Sequence, residues 1–164
     1  MPSTPQTMGR EIVEITQEVF ATMLGVDIAP RDIDQHAAAG PLGITGMVRI
    51  TGRWNGSVCV ETTPDAARQM ASLMFGMATD EATVEEMSDA LGEMANMIGG
   101  NVKNQLDPPV SLSCPEVFEA TDGSPLAAAE REIHSNHFDL SGQPPRITVF
   151  EYATAQEPEQ GASS

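Results

Sequence analysis

Basic residues are scarce in this chain, which carries 8 Lys and Arg against 24 Asp and Glu, a formal net charge of -16. A field of that sign repels phosphate backbones and anionic membrane surfaces, so it argues against nucleic-acid and membrane binding. Cysteine is equally rare, because Cys59 and Cys114 cannot build a disulfide framework and form no Cys-x-x-Cys pair. No basic start leads into an apolar stretch as in a signal peptide, and no apolar run approaches the ~20 residues that span a bilayer. We therefore expect a cytoplasmic protein with reduced thiols.

Aromatic residues make up only 4% of the 164 residues, but hydrophobic residues reach 40% and include 10 Met. That composition is typical of a globular protein whose core is filled by flexible side chains. A chain of this length favours one domain. We predict a disordered N-terminus over residues 1–7, a single domain over 8–153 and a disordered acidic tail over 154–164.

Three helices are predicted from apolar residues at steps of three and four. The first follows Met8 and ends at Gly25. The second begins at Thr63-Pro64, a capping residue followed by proline at the first helical position, and ends at Gly76. The third is long, since a capping box over 83–86 opens it and Asp107-Pro108-Pro109 prevents continuation beyond Leu106.

Strands are predicted in adjacent pairs around these helices. Ile44–Trp54 and Ser57–Thr62 flank Asn55-Gly56, a pair that suits a two-residue hairpin turn. Residues 26–43 are interpreted as a loop with one irregular strand. Four further segments in the last third show strand patterns: Val110–Cys114, Val117–Ala120, Glu130–Leu140 and Arg146–Tyr152. Because helices are grouped between strand pairs, we predict an α+β fold, with an antiparallel sheet, helices packed on it and a long central helix.

The long helix has an apolar stripe and an opposite polar face that holds Glu93 and Asn96. At ~100° per residue, seven apolar residues share the stripe: Val84, Met87, Leu91, Met94, Ile98, Val102 and Leu106. Any surface helix shows this division, and a single Glu-x-x-Asn arises easily by chance. Three glycines inside the helix, at 92, 99 and 100, are less ordinary, because each costs roughly 1 kcal/mol relative to alanine. They indicate a close approach by another backbone, of this protein or of a partner.

The segment from Asp89 to Lys103 resembles the signature helix of the CheC/CheX chemotaxis phosphatase family. It carries Glu-x-x-Asn once, at Glu93 and Asn96, followed by a Gly-Asn pair at Gly100-Asn101, as in the CheX branch. The order of predicted helices and strands also fits that family over residues 8–153.

The resemblance implies hydrolysis of the aspartyl phosphate on a phosphorylated CheY-type response regulator. Asn96 would orient the attacking water, and Glu93 would pair with a lysine of the regulator. The regulator's receiver domain would supply the metal, so no cofactor is expected in this chain. The family also forms dimers through its sheets, and an uncovered edge strand between Val110 and Tyr152 would favour a homodimer.

Other candidate sites are weaker. His134 and His137 lie three apart in a predicted strand, where they should face opposite sides and share no metal. Cys59 lies within a hairpin strand, which favours a buried, unreactive thiol. Two other functions stay open: a non-catalytic CheX-like module that binds a receiver or a chemotaxis or motor protein, and a stand-alone relative of flagellar switch domains.

Overall fold

The computed structural model describes residues 7–31, 42–119 and 130–152. It has three helices: α1 (Gly9–Leu24), α2 (Pro64–Phe75) and α3 (Val84–Asn104), with a short 3-10 turn at Thr79–Glu81. Six strands follow the order β1 (Ile44–Gly52), β2 (Gly56–Thr62), β3 (Val110–Leu112), β4 (Glu116–Glu119), β5 (Glu130–His137) and β6 (Arg146–Tyr152). No helix in these ranges is long and apolar enough to cross a membrane. The predicted disordered termini lie almost entirely outside the described residues.

The strands form one antiparallel sheet in the order β3-β1-β2-β6-β5. β4 also pairs with β1, over Ile44 to Met47, beside the stretch of β1 that pairs with β3. Pro115 lies between β3 and β4, so it interrupts a sheet edge, where a residue without an N–H is tolerated. The predicted α+β fold with an antiparallel sheet is confirmed.

The helices cover one face of the sheet, and α3 is the central one. It contacts β1 and β2 below and α1 and α2 beside it. The alternation along each strand sends one set of side chains into this core: Ile44, Val48, Ile50, Val58, Val60, Ile147 and Val149. The opposite face carries a smaller cluster of Met47 and Cys59, with Phe118 and Phe150 against it. Cys59 is fully buried, as predicted.

The predicted start of α3 is confirmed in detail. Thr83 Oγ1 accepts a hydrogen bond from the Glu86 N–H at 3.1 Å, and Glu86 Oε1 accepts one from the Thr83 N–H at 2.9 Å. This reciprocal pair satisfies two N–H groups that the first helical turn leaves unbonded. The helix ends at Asn104, two residues before the predicted Leu106. One member of the predicted apolar stripe is wrong, because Val84 is 73% exposed at the first position of the helix.

The predicted two-residue turn at Asn55-Gly56 is wrong. Gly56 is already part of β2 and pairs with Ile50, so the connection is longer and takes its positive φ at Gly52. The Asn55 side chain closes this loop, since its Oδ1 accepts from the Gly52 N–H and its Nδ2 donates to the Gly52 carbonyl, both at 3.1 Å. A two-residue turn with positive φ at both positions occurs instead at Ser141-Gly142, before β6.

Candidate functional site

Glu93 and Asn96 lie one turn apart on the outer surface of α3. Glu93 is exposed and Asn96 is half-buried. The helix that carries them is anchored on its inner side, where Leu91, Met94 and Ile98 are fully buried. Because this helix is firmly packed, the backbone that carries the two side chains is held in place. A group that positions a reacting molecule needs such a rigid support.

Both side chains are available for a partner. Within the described part of the chain, neither the Glu93 carboxylate nor the Asn96 amide has a hydrogen bond or an ion pair. The nearby Asn101 differs, because its Nδ2 donates to the Met97 carbonyl at 2.9 Å. Glu93 can therefore accept a hydrogen bond from a cationic side chain of a partner. Asn96 can both donate a hydrogen bond to a bound water and accept one from it.

The three helix glycines divide into two kinds. A Cβ on Gly99 would lie 2.2 Å from Val48 Cγ2, so this glycine permits the close packing of α3 on β1. A Cβ on Gly92 would lie 3.6 Å from Pro115 Cβ, and one on Gly100 would lie 3.8 Å from Leu112 Cδ2, both ordinary contacts. Within the described residues only Gly99 of the three is closely approached, and by the Val48 side chain, not by the backbone that was expected; internal packing does not explain the other two glycines.

A groove of about 630 Å³ opens beside Glu93. Its walls come from the ends of α1 and α2, the first half of α3 and the start of β4, with these lining residues: Met23, Met74, Phe75, Ser88, Asp89, Gly92, Glu93, Pro115 and Val117. Sequence reasoning did not identify this groove, because its apolar walls come from segments far apart in the chain. One signal was present: Phe75, directly before the helix-ending Gly76, lies outside the buried face of α2, which is formed by Ala66, Ala67, Met70 and Ala71.

The two histidines of β5 lie on opposite faces of the sheet, as predicted. His134 pairs with Val149 and contacts the start of α1 near Gly9, whereas His137 pairs with Arg146 on the other face. Among residues 7–31, 42–119 and 130–152, no group of three or more His, Cys, Asp or Glu side chains could hold a metal ion.

A buried polar cluster on the sheet face opposite the helices was not predicted. Arg146 Nη2 donates to Glu61 Oε1 at 2.6 Å, and the Thr148 hydroxyl donates to Glu61 Oε2 at 2.5 Å. Both members of the ion pair are almost fully buried. Buried charges are tolerated when they are paired and hydrogen-bonded. Because Glu61 lies in β2 and Arg146 and Thr148 lie in β6, the cluster links these two strands.

His137 borders this cluster and should make stability depend on pH. Burial lowers the pKa of its imidazole below the ordinary 6.5; Arg146 and Arg31 act in the same direction and Glu61 opposes them. Its Nε2 is buried without a hydrogen-bond partner among the described residues. Above pH 6.5 the imidazole is neutral in both the folded and the unfolded state and does not change the free energy of unfolding. As the pH falls below 6.5, the unfolded chain binds a proton at a higher pH than the folded protein does. The free energy of unfolding should therefore fall as the pH drops below 6.5.

His137→Phe should remove this part of the pH dependence. Urea unfolding of both proteins at pH 7.5 and 5.5 measures it, and we expect the variant to lose less stability than wild type between the two values. Parallel losses would show that His137 is protonated as readily in the folded as in the unfolded protein.

A match to a sequence model of a known family identifies the family of this chain. A family model described as chemotaxis phosphatase CheX matches residues 44–139, more than half of the chain and inclusive of all of α3. The chain belongs to the CheX family of chemotaxis phosphatases. The family resemblance inferred from the motif on α3 is confirmed.

Solved CheX and CheC-like structures share the fold at low sequence identity. CheX from Vibrio vulnificus matches with a TM-score of 0.68 at 17% identity, over 91% of this chain and 100% of that one. A CheC-like superfamily protein from Shewanella sp. PV-4 matches with a TM-score of 0.70 at 17% identity, over 91% and 99%. The CheX-CheY-BeF3-Mg2+ complex from Borrelia burgdorferi matches with a TM-score of 0.64 at 15% identity, over 88% and 96%. A comparison with curated protein sequences gave no match.

Proposed function

We propose that this protein hydrolyses the aspartyl phosphate of a CheY-type response regulator. The observation that carries the proposal is the pair Glu93 and Asn96, which a firmly packed helix holds side by side and which no described residue of the chain engages. Membership of a phosphatase family supports it. So does the existence of a Borrelia CheX complex with CheY, BeF3 and Mg2+, since this chain shares that CheX fold.

The chemistry needs little from the phosphatase. In the reaction, water forms a new P–O bond while the bond between phosphorus and the aspartyl oxygen breaks, which releases phosphate and a free carboxylate. An acyl phosphate is already reactive, so the main contribution left is an in-line water. In our proposal the Asn96 amide holds that water and the Glu93 carboxylate pairs with a lysine of the receiver.

The receiver, and not this chain, would supply the divalent metal. The chain's described residues offer no cluster of ligands, and the Glu93–Asn96 pair by itself provides one carboxylate and one amide. Mg2+ binds through carboxylates plus phosphate oxygens, both of which a phosphorylated receiver contains. The function of the chain's own residues is therefore to orient water and to dock.

The proposal is tested by mixing the protein with phosphorylated receivers from the same genome and following the loss of label from each. We expect faster dephosphorylation of at least one receiver than its own rate without the protein. Acceleration of none would instead support the alternative, a CheX-like module that binds a receiver or a chemotaxis or motor protein without hydrolysis.

We also propose that the protein is a homodimer joined through β5. This strand forms one edge of the described sheet, with β6 as its neighbour in the sheet, and at its end the Arg31 N–H donates to the His137 carbonyl at 2.8 Å. An open edge of this length favours strand pairing between copies. Light scattering at high micromolar concentration should give twice the mass of 17.4 kDa; a strictly monomeric mass would contradict the proposal.

A further inference from the structure

The groove beside Glu93 combines an apolar lining with an acidic rim. Met74 and Phe75 end α2, Met23 lies near the end of α1, and Pro115 and Val117 line the groove from the start of β4. Asp89 and Glu93 are exposed on α3, and the lining includes no basic residue. A fitting occupant therefore has an apolar side chain next to a basic one.

Phe75 is the most unusual residue of the groove. Its side chain is 45% exposed, although large aromatic side chains gain most from burial. Methionines beside it offer flexible, polarisable contacts that adapt to an incoming side chain. The combination is typical of surfaces that bind another protein.

Gly92 provides an independent indication. It lines the groove, and alanine would fit there without a collision, since its Cβ would lie 3.6 Å from Pro115 Cβ. A glycine in the middle of a helix is nevertheless less favourable than alanine. Because Gly92 has no side chain, the groove is deeper at this point. The unfavourable helix propensity of this glycine is explained if a side chain of a partner enters the groove here.

Glu93 belongs to both the groove and the proposed catalytic pair. A receiver whose active site engages Glu93 and Asn96 must therefore extend over, or next to, the groove. The chain's own ends are poor occupants of an acidic groove, because residues 1–6 carry no side-chain charge and residues 153–164 carry only Glu157 and Glu159. A second copy is a poor occupant as well, because a chain with 8 Lys and Arg against 24 Asp and Glu offers few basic side chains to an acidic groove.

We propose that this groove is the receiver-recognition site: it accepts an apolar side chain that lies next to a basic residue at the rim of the receiver's active site. The inference rests on the proposed function and extends it, since it names the surface that selects one receiver over another. Groove contacts form in the complex before and during hydrolysis alike, so they lower KM and leave kcat unchanged.

A matched pair of variants on α2 tests this. Phe75 and Leu73 are equally exposed, at 45% and 44%, but only Phe75 lines the groove. We expect Phe75→Ser to raise KM for a phosphorylated receiver by about tenfold, with kcat within about twofold of wild type. It should raise the Kd for the beryllofluoride-activated receiver by the same factor. Leu73→Ser should change neither constant.

A variant on α3 covers the case in which Phe75→Ser does not fold. Gly92→Ala places a Cβ at ordinary contact distance within the groove. It should melt no lower than wild type and still bind the activated receiver more weakly, with Leu73→Ser again as the control.

The outcomes separate this proposal from the proposed function. Equal KM and Kd for groove variants and their controls would overturn the groove even if wild type hydrolyses the receiver. Weaker binding by the groove variants without hydrolysis by wild type would support the groove and reject the phosphatase. Absence of both binding and hydrolysis would overturn both, and a halved mass of Phe75→Ser in light scattering would assign the groove to a second copy.

Discussion

Gly46→Ala should destabilise the protein by about 2–3 kcal/mol, the upper part of the ~1–3 kcal/mol typical of overpacking in a close-packed core. Gly46 lies in β1 beneath α3, and a Cβ there would lie 2.7 Å from the Leu91 carbonyl oxygen and 3.1 Å from its carbon. Those atoms are helix backbone, which cannot rotate away as a side chain can. Leu91 is itself fully buried, so the helix would have to shift as a unit.

Gly100→Ala is the matched control for this effect. Its Cβ would lie 3.8 Å from Leu112 Cδ2, and alanine is the stronger helix former by about 1 kcal/mol. Urea unfolding followed by circular dichroism should therefore show a less stable Gly46→Ala and a slightly more stable Gly100→Ala. A Gly46→Ala protein as stable as wild type would contradict the close packing of α3 on β1.

These glycines show where sequence patterns reach their limit. Helix propensity identifies Gly92, Gly99 and Gly100 as costly, but it cannot distinguish the one that packs against Val48 from the two that do not. Gly46 gave no signal at all, because a glycine in a strand has many explanations. The distinction depends on which element lies opposite, and that is a property of the tertiary structure.

Local chemistry explains what the sequence does predict. Thr83 and Glu86 define the start of α3 because their hydrogen bonds join residues three apart, and Pro108 limits its end. The hairpin turn was mispredicted because the favourable Asn55-Gly56 pair has a competing use: Asn55 bonds back to Gly52, and a Cβ on Gly56 would lie 2.1 Å from the Trp54 ring. Tertiary packing overrides local turn preference there.

The candidate site, like the fold, could be predicted only in part from the sequence. Glu93 and Asn96 follow from helical spacing, since residues three apart share a face. The groove does not, because Met23, Phe75 and Val117 come together only through the packing of α1, α2 and β4 around α3.

Asn96→Ala should lose at least tenfold in the rate of receiver dephosphorylation, which corresponds to about 1.4 kcal/mol of barrier. The amide is half-buried on the outer face of α3 and makes no hydrogen bond within residues 7–31, 42–119 and 130–152. Its removal should therefore change stability by less than about 0.5 kcal/mol. A water-positioning group acts along the reaction path, so the loss should appear in kcat, with the Kd for the beryllofluoride-activated receiver little changed.

Glu93 variants provide the contrast. Glu93→Ala removes the carboxylate that would pair with the receiver's lysine, so it should mainly raise Kd and KM. Glu93→Gln keeps a hydrogen-bond acceptor in the same place and should retain part of the affinity. The two residues thus separate docking from water positioning.

The most direct test of the central claim is single-turnover dephosphorylation of a phosphorylated receiver at saturating wild type or Asn96→Ala, with circular dichroism to confirm that both are folded. The account predicts acceleration by wild type, and a rate for the folded variant at least tenfold lower. A folded Asn96→Ala protein that hydrolyses the acyl phosphate at the wild-type rate would contradict it.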